Sequence, residues 1–376
     1  MSRVSMKGVI LATAMVVMLV GRVAAQRLDS VTLAIDQMTL RQRVARMLIV
    51  GVDGVDLRGN NPIIRDVEQR GVAGVIFFEK NLASSTDELS GRERFARFVA
   101  DIQSHAPHTL LMAIDQEGGA VNRLKSKYGF DPQPSQRAVG GYDDDLRVRA
   151  AARDIANAVS SVGLNLNFSP CVDVDINPLS PIVGAVGRSF SADVARVSHL
   201  AKIYAEEHRT CGVLTAIKHF PGHGSSLVDS HLGFTDISST WRSCELQPYF
   251  DMVRGGGCDM VMVSHLYNRE IDSVYPASLS PLAIEWLLRQ VIGWQGVVVS
   301  DDMQMRAIVD HYGFEEGILL GVAAGVDLFI ISGNLSDDRS DIAERFISTI
   351  VDAVERGEIS PQRIERSLRR TLRLKL

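Results

Sequence analysis

The stretch "LTAIKHF", Leu214 to Phe220, is apolar at Leu214, Ala216, Ile217 and Phe220 and carries a Lys–His pair near its end. A short apolar run of this kind fits a strand covered on both faces of a parallel sheet. The pattern recurs along the chain as "MLIVGV" (47–52), "VAGVIFF" (72–78), "LLMAID" (110–115), "LNLNFSP" (164–170), "MVMVSH" (260–265), "GVVVSDD" (296–302) and "DLFIIS" (327–332). Amphipathic helical stretches lie between these runs, at roughly 86–104, 146–161, 193–209, 245–255, 281–292 and 315–324. Two further helical runs, 338–356 and 360–374, close the chain, the last opened by Ser360 as cap and Pro361 in the first turn. Eight strands alternating with helices predict a single (β/α)8 barrel, a TIM-type α/β fold. A doubly wound sheet is the alternative, but no GxGxxG follows an early strand.

Composition agrees with an ordinary globular protein. Of 376 residues, 46% are hydrophobic and 23% charged, with a net charge of −5. No Lys/Arg block offers a track for a phosphate backbone, so no nucleic-acid partner is expected. The four cysteines, Cys171, Cys211, Cys244 and Cys258, form no CxxC pair, and unpaired thiols are expected. No proline- or serine-rich linker divides the chain. Two long connections, 116–145 and 220–244, stand out, and such connections inside a compact domain are usually functional.

The N-terminus differs from the rest. Arg3 and Lys7 precede an uncharged run from Gly8 to Gly21, and Val23 and Ala25 sit three and one residues before a cleavage point ahead of Gln26. This is the order of a secretory signal peptide. Residues 1–25 are therefore expected to be a leader, and 26–376 the barrel. The alternative is an uncleaved membrane anchor, with Arg22 in the cleavage region in its favour. An exported protein, periplasmic or secreted, is expected, with membrane attachment if the leader stays.

Function in a barrel gathers at the C-terminal ends of the strands. Asp115, the Lys218–His219 pair, Ser264–His265 and the Asp301–Asp302 pair fall there. One aspartate at a strand end is most often a helix cap or turn former; four polar strand ends together suggest a site. Of Asp301 and Asp302, one carboxylate should face the mouth and the other should serve the following helix. Asp301 is the better candidate for attack on an electrophile above the barrel.

The loop after the opening stretch, "KHFPGHGSSLVDSH" (218–231), admits three readings. His219, His223, Asp229 and His231 could ligate a metal, but the spacing is not HExxH, and Pro221, Gly222 and Gly224 exclude a regular helix. The segment could be a polar turn. Or Asp229 and His231 could form an acid/base pair, the carboxylate orienting the imidazole and raising its pKa.

Together, "KHFPGHG…DSH", "DQEGG…R", "GRSF" and "VVSDDM" resemble glycoside hydrolase family 3, most closely its single-domain β-N-acetylhexosaminidases. The resemblance runs from "GVAGVIFFEKN" (71–81) to "AAGVDLFIIS" (323–332). It implies a retaining glycosidase with Asp301 as nucleophile and His231, paired with Asp229, as acid/base. It also implies sugar binding by Asp115, Arg123, Arg188, Lys218 and His219. Val186–Gly187 ahead of Arg188 depart from the family, which often has an acidic or polar residue there. The implied substrate is a glycan bearing terminal β-linked N-acetylglucosamine, as in peptidoglycan fragments, and no cofactor or metal is implied. A monomer is expected. A β-glucosidase or an N-acetylglucosaminide phosphorylase is the alternative within the family; a metal-dependent hydrolase or a non-catalytic sugar-binding protein are alternatives outside it.

Overall fold

Ten strands are present among the described residues: β1 (Leu48–Gly51), β2 (Gly74–Phe77), β3 (Leu111–Ile114), β4 (Leu166–Asn167), β5 (Leu214–Phe220), β6 (Thr235–Asp236), β7 (Met260–Val263), β8 (Leu266–Tyr267), β9 (Val297–Asp302) and β10 (Leu328–Ile331). The computed structural model describes residues 30–59, 61–228, 233–334 and 341–374. Eight strands close a barrel in the order β1-β10-β9-β7-β5-β4-β3-β2, with every neighbouring pair parallel. The chain is a single (β/α)8 domain, as the alternation of strands and helices predicts.

Strand alternation sorts the side chains. Ile49, Ile76, Ala113, Leu166, Leu214, Ala216, Met260, Met262, Val297, Val299, Leu328 and Ile330 fill the barrel interior. The intervening residues, among them Val50, Phe77, Met112, Ile217, Val261, Val298 and Phe329, pack outward against the helices. The same period carries Lys218 inward with Leu214 and Ala216, and Asp301 inward with Val297 and Val299. Asp302, one residue on, turns the other way.

The outer helices include Gly91–His105, Asp145–Ser160, Val194–Thr210, Gln247–Arg254, Leu282–Val291, Phe314–Ala324 and Ile342–Glu355. Each begins within about five residues of its expected start. An unexpected helical segment follows β1, as Pro62–Arg65 continuing into a π turn at Asp66–Arg70, with Asn61 as its cap. At the mouth, β6 and β8 form a second small parallel sheet.

The floor of the barrel is closed by the C-terminal helix, Pro361–Thr371. Its Ser367 and Arg370 bond the fully buried Asp327 at 2.8 and 3.0 Å, and Arg289 bonds it at 2.8 Å. A helix at residues 30–36 packs there through Val31 and Ile35 against Leu368. The expected leader, residues 1–25, lies outside the described residues. Among the described residues no helix is long and apolar enough to cross a membrane. All four cysteines are free.

Candidate active site

The mouth of the barrel opens on a cavity of about 320 Å³. Its floor is the top layer of the interior: Ile76, Met262 and Ile330. Asp115, Arg123, Arg188, Lys218, His219 and Asp301 all line it, with His223, Asp302 and Asn334. Residues separated by nearly two hundred positions in sequence thus share one wall.

Most of the charge is paired internally. Lys218 Nζ lies 2.6 Å from Asp115 Oδ1 and 2.7 Å from Glu117 Oε1. Arg188 donates to both oxygens of Glu117, each at 2.8 Å, and to the Ile182 carbonyl at 3.1 Å. Burial alone would raise the Glu117 carboxyl, but the charges of Arg188 and Lys218 outweigh that and hold it well below the usual carboxylate range. Burial would lower Lys218, but Asp115 and Glu117 raise it, so the ammonium keeps its proton. Arg188, without an acidic residue before it in sequence, takes its support from Glu117 instead.

The network continues into the β4 and β5 loops. Arg188 Nη2 lies 3.0 Å from His219 Nε2, and His219 Nδ1 lies 2.6 Å from Asp173 Oδ2. A guanidinium only donates, so Nε2 accepts and Nδ1 carries the hydrogen toward Asp173. Asp173 also accepts from the backbone N–H of His223 at 2.7 Å and from the Cys171 thiol at 3.0 Å. Burial pushes the His223 ring down to about 4, so its imidazole is neutral. The Lys218–His219 and Phe220–Pro221 peptide bonds are cis. Gly224 is required by space: a Cβ there would stand 1.7 Å from the Val174 carbonyl oxygen.

Cys171, Asp173 and His219 offer three atoms within 4.8 Å, a spacing open to a metal ion. Burial and the Asp173 charge push the Cys171 thiol well above its ordinary value. A thiol that keeps its proton is a poor ligand, and every Asp173 oxygen already accepts hydrogen bonds. The arrangement reads as a hydrogen-bonded support for His219. Of the metal set considered from sequence, His219 and His223 meet edge to face at 5.7 Å, while Asp229 and His231 lie outside the described residues.

The two aspartates of β9 differ as alternation requires. Asp302 caps the following turn, accepting from Gln304 N at 3.0 Å and Ser332 N at 3.3 Å. Burial raises its carboxyl to about 6. Asp301 faces the cavity and accepts from Asp302 N at 2.8 Å. His265, one of the polar strand ends, does not line the cavity: it lies 2.9 Å from the Asp302 carbonyl oxygen and braces β9.

Arg123 approaches from the loop after β3. Its guanidinium lies 6.0 Å from the Phe78 ring centre, and its buried Nε has no hydrogen-bond partner among the described residues. Gln116 shapes that loop, accepting from Arg123 N at 2.8 Å and Leu124 N at 3.0 Å.

Glu117, Asp173 and Cys171 are the members that sequence reasoning did not assign to the site, and His223 entered there only as a possible metal ligand. Glu117 had a visible signal, an acid two residues past Asp115 in the same strand-end loop.

A barrel with its acidic and cationic side chains gathered over the C-terminal strand ends defines an enzyme-type mouth. The sequence matches the glycosyl hydrolase family 3 N-terminal domain over residues 39–374, and the chain belongs to that family. It is 32% identical over 348 residues to beta-hexosaminidase LpqI of Mycobacterium tuberculosis, covering 89% of this chain and 82% of that protein. It is 29% identical over 322 residues to beta-hexosaminidase A of Pseudoalteromonas piscicida, covering 81% of this chain but 53% of that protein. A family 3 beta-N-acetylglucosaminidase structure from a Paenibacillus species superposes with a TM-score of 0.80 at 32% identity, over 89% of this chain and 62% of that one. The chain thus spans about half to two thirds of two of these relatives.

Proposed function

We propose that the chain is a retaining β-N-acetylhexosaminidase, releasing terminal β-linked N-acetylglucosamine from peptidoglycan-derived or related glycans. The observation that carries this reading is Asp301, a carboxylate on the wall of a one-sugar cavity already lined by Asp115, Arg123, Arg188, Lys218 and His219. The names of the related hexosaminidases support the choice of sugar. Pairing of Lys218 and Arg188 with Asp115 and Glu117 also favours an uncharged ligand over an anionic one.

In the first step the Asp301 carboxylate attacks the anomeric carbon as the glycosidic C–O bond breaks. His231, as imidazolium, gives its proton to the departing oxygen, with Asp229 stabilising the charged ring. In the second step water attacks the anomeric carbon, its proton returns to His231, and Asp301 leaves as carboxylate. Two displacements on one carbon retain configuration. Asp115 and the free N–H groups of the cationic wall hold ring hydroxyls and the acetamido group.

The apolar leader, residues 8–21, supports export as a further proposal, and a monomer of residues 26–376 is the proposed working form. The test is a panel of aryl glycosides. The β-N-acetylglucosaminide should be cleaved far faster than the β-glucoside, with free sugar as product whether or not phosphate is present. A preference for the glucoside would overturn the substrate, and a sugar phosphate would overturn hydrolysis.

A further inference from the structure

The cavity of about 320 Å³ is at the small end of ligand sites and suits one sugar ring. The second ring of a glycan must therefore lie outside it, on the rim. The rim is uneven. Beyond β2 it carries the Phe78 ring and the Lys80–Asp53 ion pair at 2.7 Å, and beyond β9 the Arg306–Asp310 pair at 3.0 Å. On the side of β5, β7 and β9 it carries rings. The Phe234 ring centre lies 5.2 Å from Tyr267 and 5.3 Å from His311. Phe234 remains 41% exposed at the centre of this group.

The group is held by secondary structure. Phe234 directly precedes β6, and Tyr267 belongs to β8, which pairs with β6. Ile237 N donates to the Tyr267 carbonyl at 2.9 Å, and the Tyr267 hydroxyl donates to the Ser273 carbonyl at 3.0 Å. The three rings sit in the loops that leave the C-terminal ends of β5, β7 and β9, outside the lining of the cavity itself, and a partly exposed aromatic cluster of this kind is costly to leave in water and commonly marks a binding surface. A pyranose offers a matching face of C–H groups.

We propose that Phe234, backed by Tyr267 and His311, is the platform for the leaving sugar, the ring on the reducing side of the cleaved bond. This rests on the glycosidase reading above. That reading assigns the proton donor to the loop leaving β5, which returns to the barrel at Phe234. A donor must touch the leaving oxygen, so the leaving sugar departs across this side of the rim. The platform selects a glycan over a simple glycoside.

The test compares the β-1,4-linked N-acetylglucosamine disaccharide with the methyl β-N-acetylglucosaminide. Both leaving groups need protonation, but only the disaccharide has a ring to stack. Phe234→Ala should lower the disaccharide-to-methyl ratio of kcat/KM about tenfold, mainly through KM for the disaccharide. Phe234→Trp should restore the ratio, which also guards against a folding defect in the alanine variant. Equal losses on both substrates would overturn the platform, assigning Phe234 to the stem of the loop. An unmoved ratio in an active enzyme would overturn it too. A wild type inert on both substrates would remove the glycosidase reading, and the platform with it.

Discussion

Glu117 grips Arg188 through two hydrogen bonds of 2.8 Å, with both side chains buried, and the same carboxylate reaches Lys218 at 2.7 Å. Glu117 and Asp115, which reaches Lys218 at 2.6 Å, thus balance the two cations on the cavity wall. Removing one partner of a buried pair costs more than the pair contributes, because the remaining charge is stranded. Glu117→Ala should destabilise the fold by about 3–5 kcal/mol. Urea unfolding measures this, and a loss below about 1 kcal/mol would mean that water enters and solvates the cations.

Asp301→Ala should lower turnover of an aryl β-N-acetylglucosaminide by several orders of magnitude, since a nucleophile has no substitute. Its melting temperature should stay close to that of the wild type. Undiminished turnover would remove Asp301 from the role.

His231→Ala should be sensitive to the leaving group. A poor leaving group needs the proton, so the loss there should be about 10²–10⁴-fold, with far less for a nitrophenolate. Equal losses would argue against proton donation.

Arg123 keeps a buried Nε without a hydrogen-bond partner among the described residues. Truncating it sacrifices no hydrogen bond from that atom within the protein, so Arg123→Ala should shift stability by only about 0.5 kcal/mol. If that N–H waits for a sugar oxygen, KM should rise about tenfold or more. A stability loss without a KM change would make the residue structural.

Glu245 is fully buried, accepts from Gly224 N at 3.0 Å and Arg242 N at 3.2 Å, and burial raises its carboxyl from 4.5 to about 7. A raised carboxyl favours the fold in its protonated form. Its contribution is full below pH 4.5 and is lost as pH rises through about 7. Glu245→Gln should gain stability relative to the wild type between pH 5 and 8, on the order of 1–3 kcal/mol. Denaturation midpoints at the two pH values give the difference, and parallel curves would refute it.

The barrel was legible because each of its strands sits in an apolar run that alternates with a helical stretch along the chain. In β9, alternation alone requires Asp301 and Asp302 to face opposite ways, but the run Val297–Val298–Val299 is apolar throughout and cannot say which faces in; the packing of Val297 and Val299 inside the barrel settles it for Asp301. The segment Pro62–Arg65 was not legible, since four residues before a π turn are too few for a helical period. The two-residue strands β6 and β8 are shorter still. Within the site, residues at strand ends were readable one by one, but their partners were not. Glu117 meets Arg188 across 71 positions, and Asp173 meets His219 across 46. Such pairings are set by barrel closure, which no local pattern records.

The barrel has a direction as well as a site. The chain enters β1 from the floor, where residues 30–36 lie against the C-terminal helix, and the cavity opens at the opposite end. A protein held to a bead, a sensor chip or a lipid surface through this end would present its mouth outward, toward long glycans arriving from solution. Attachment through the βα loops would instead bury the entrance, so the choice of handle fixes whether an immobilised sample is active.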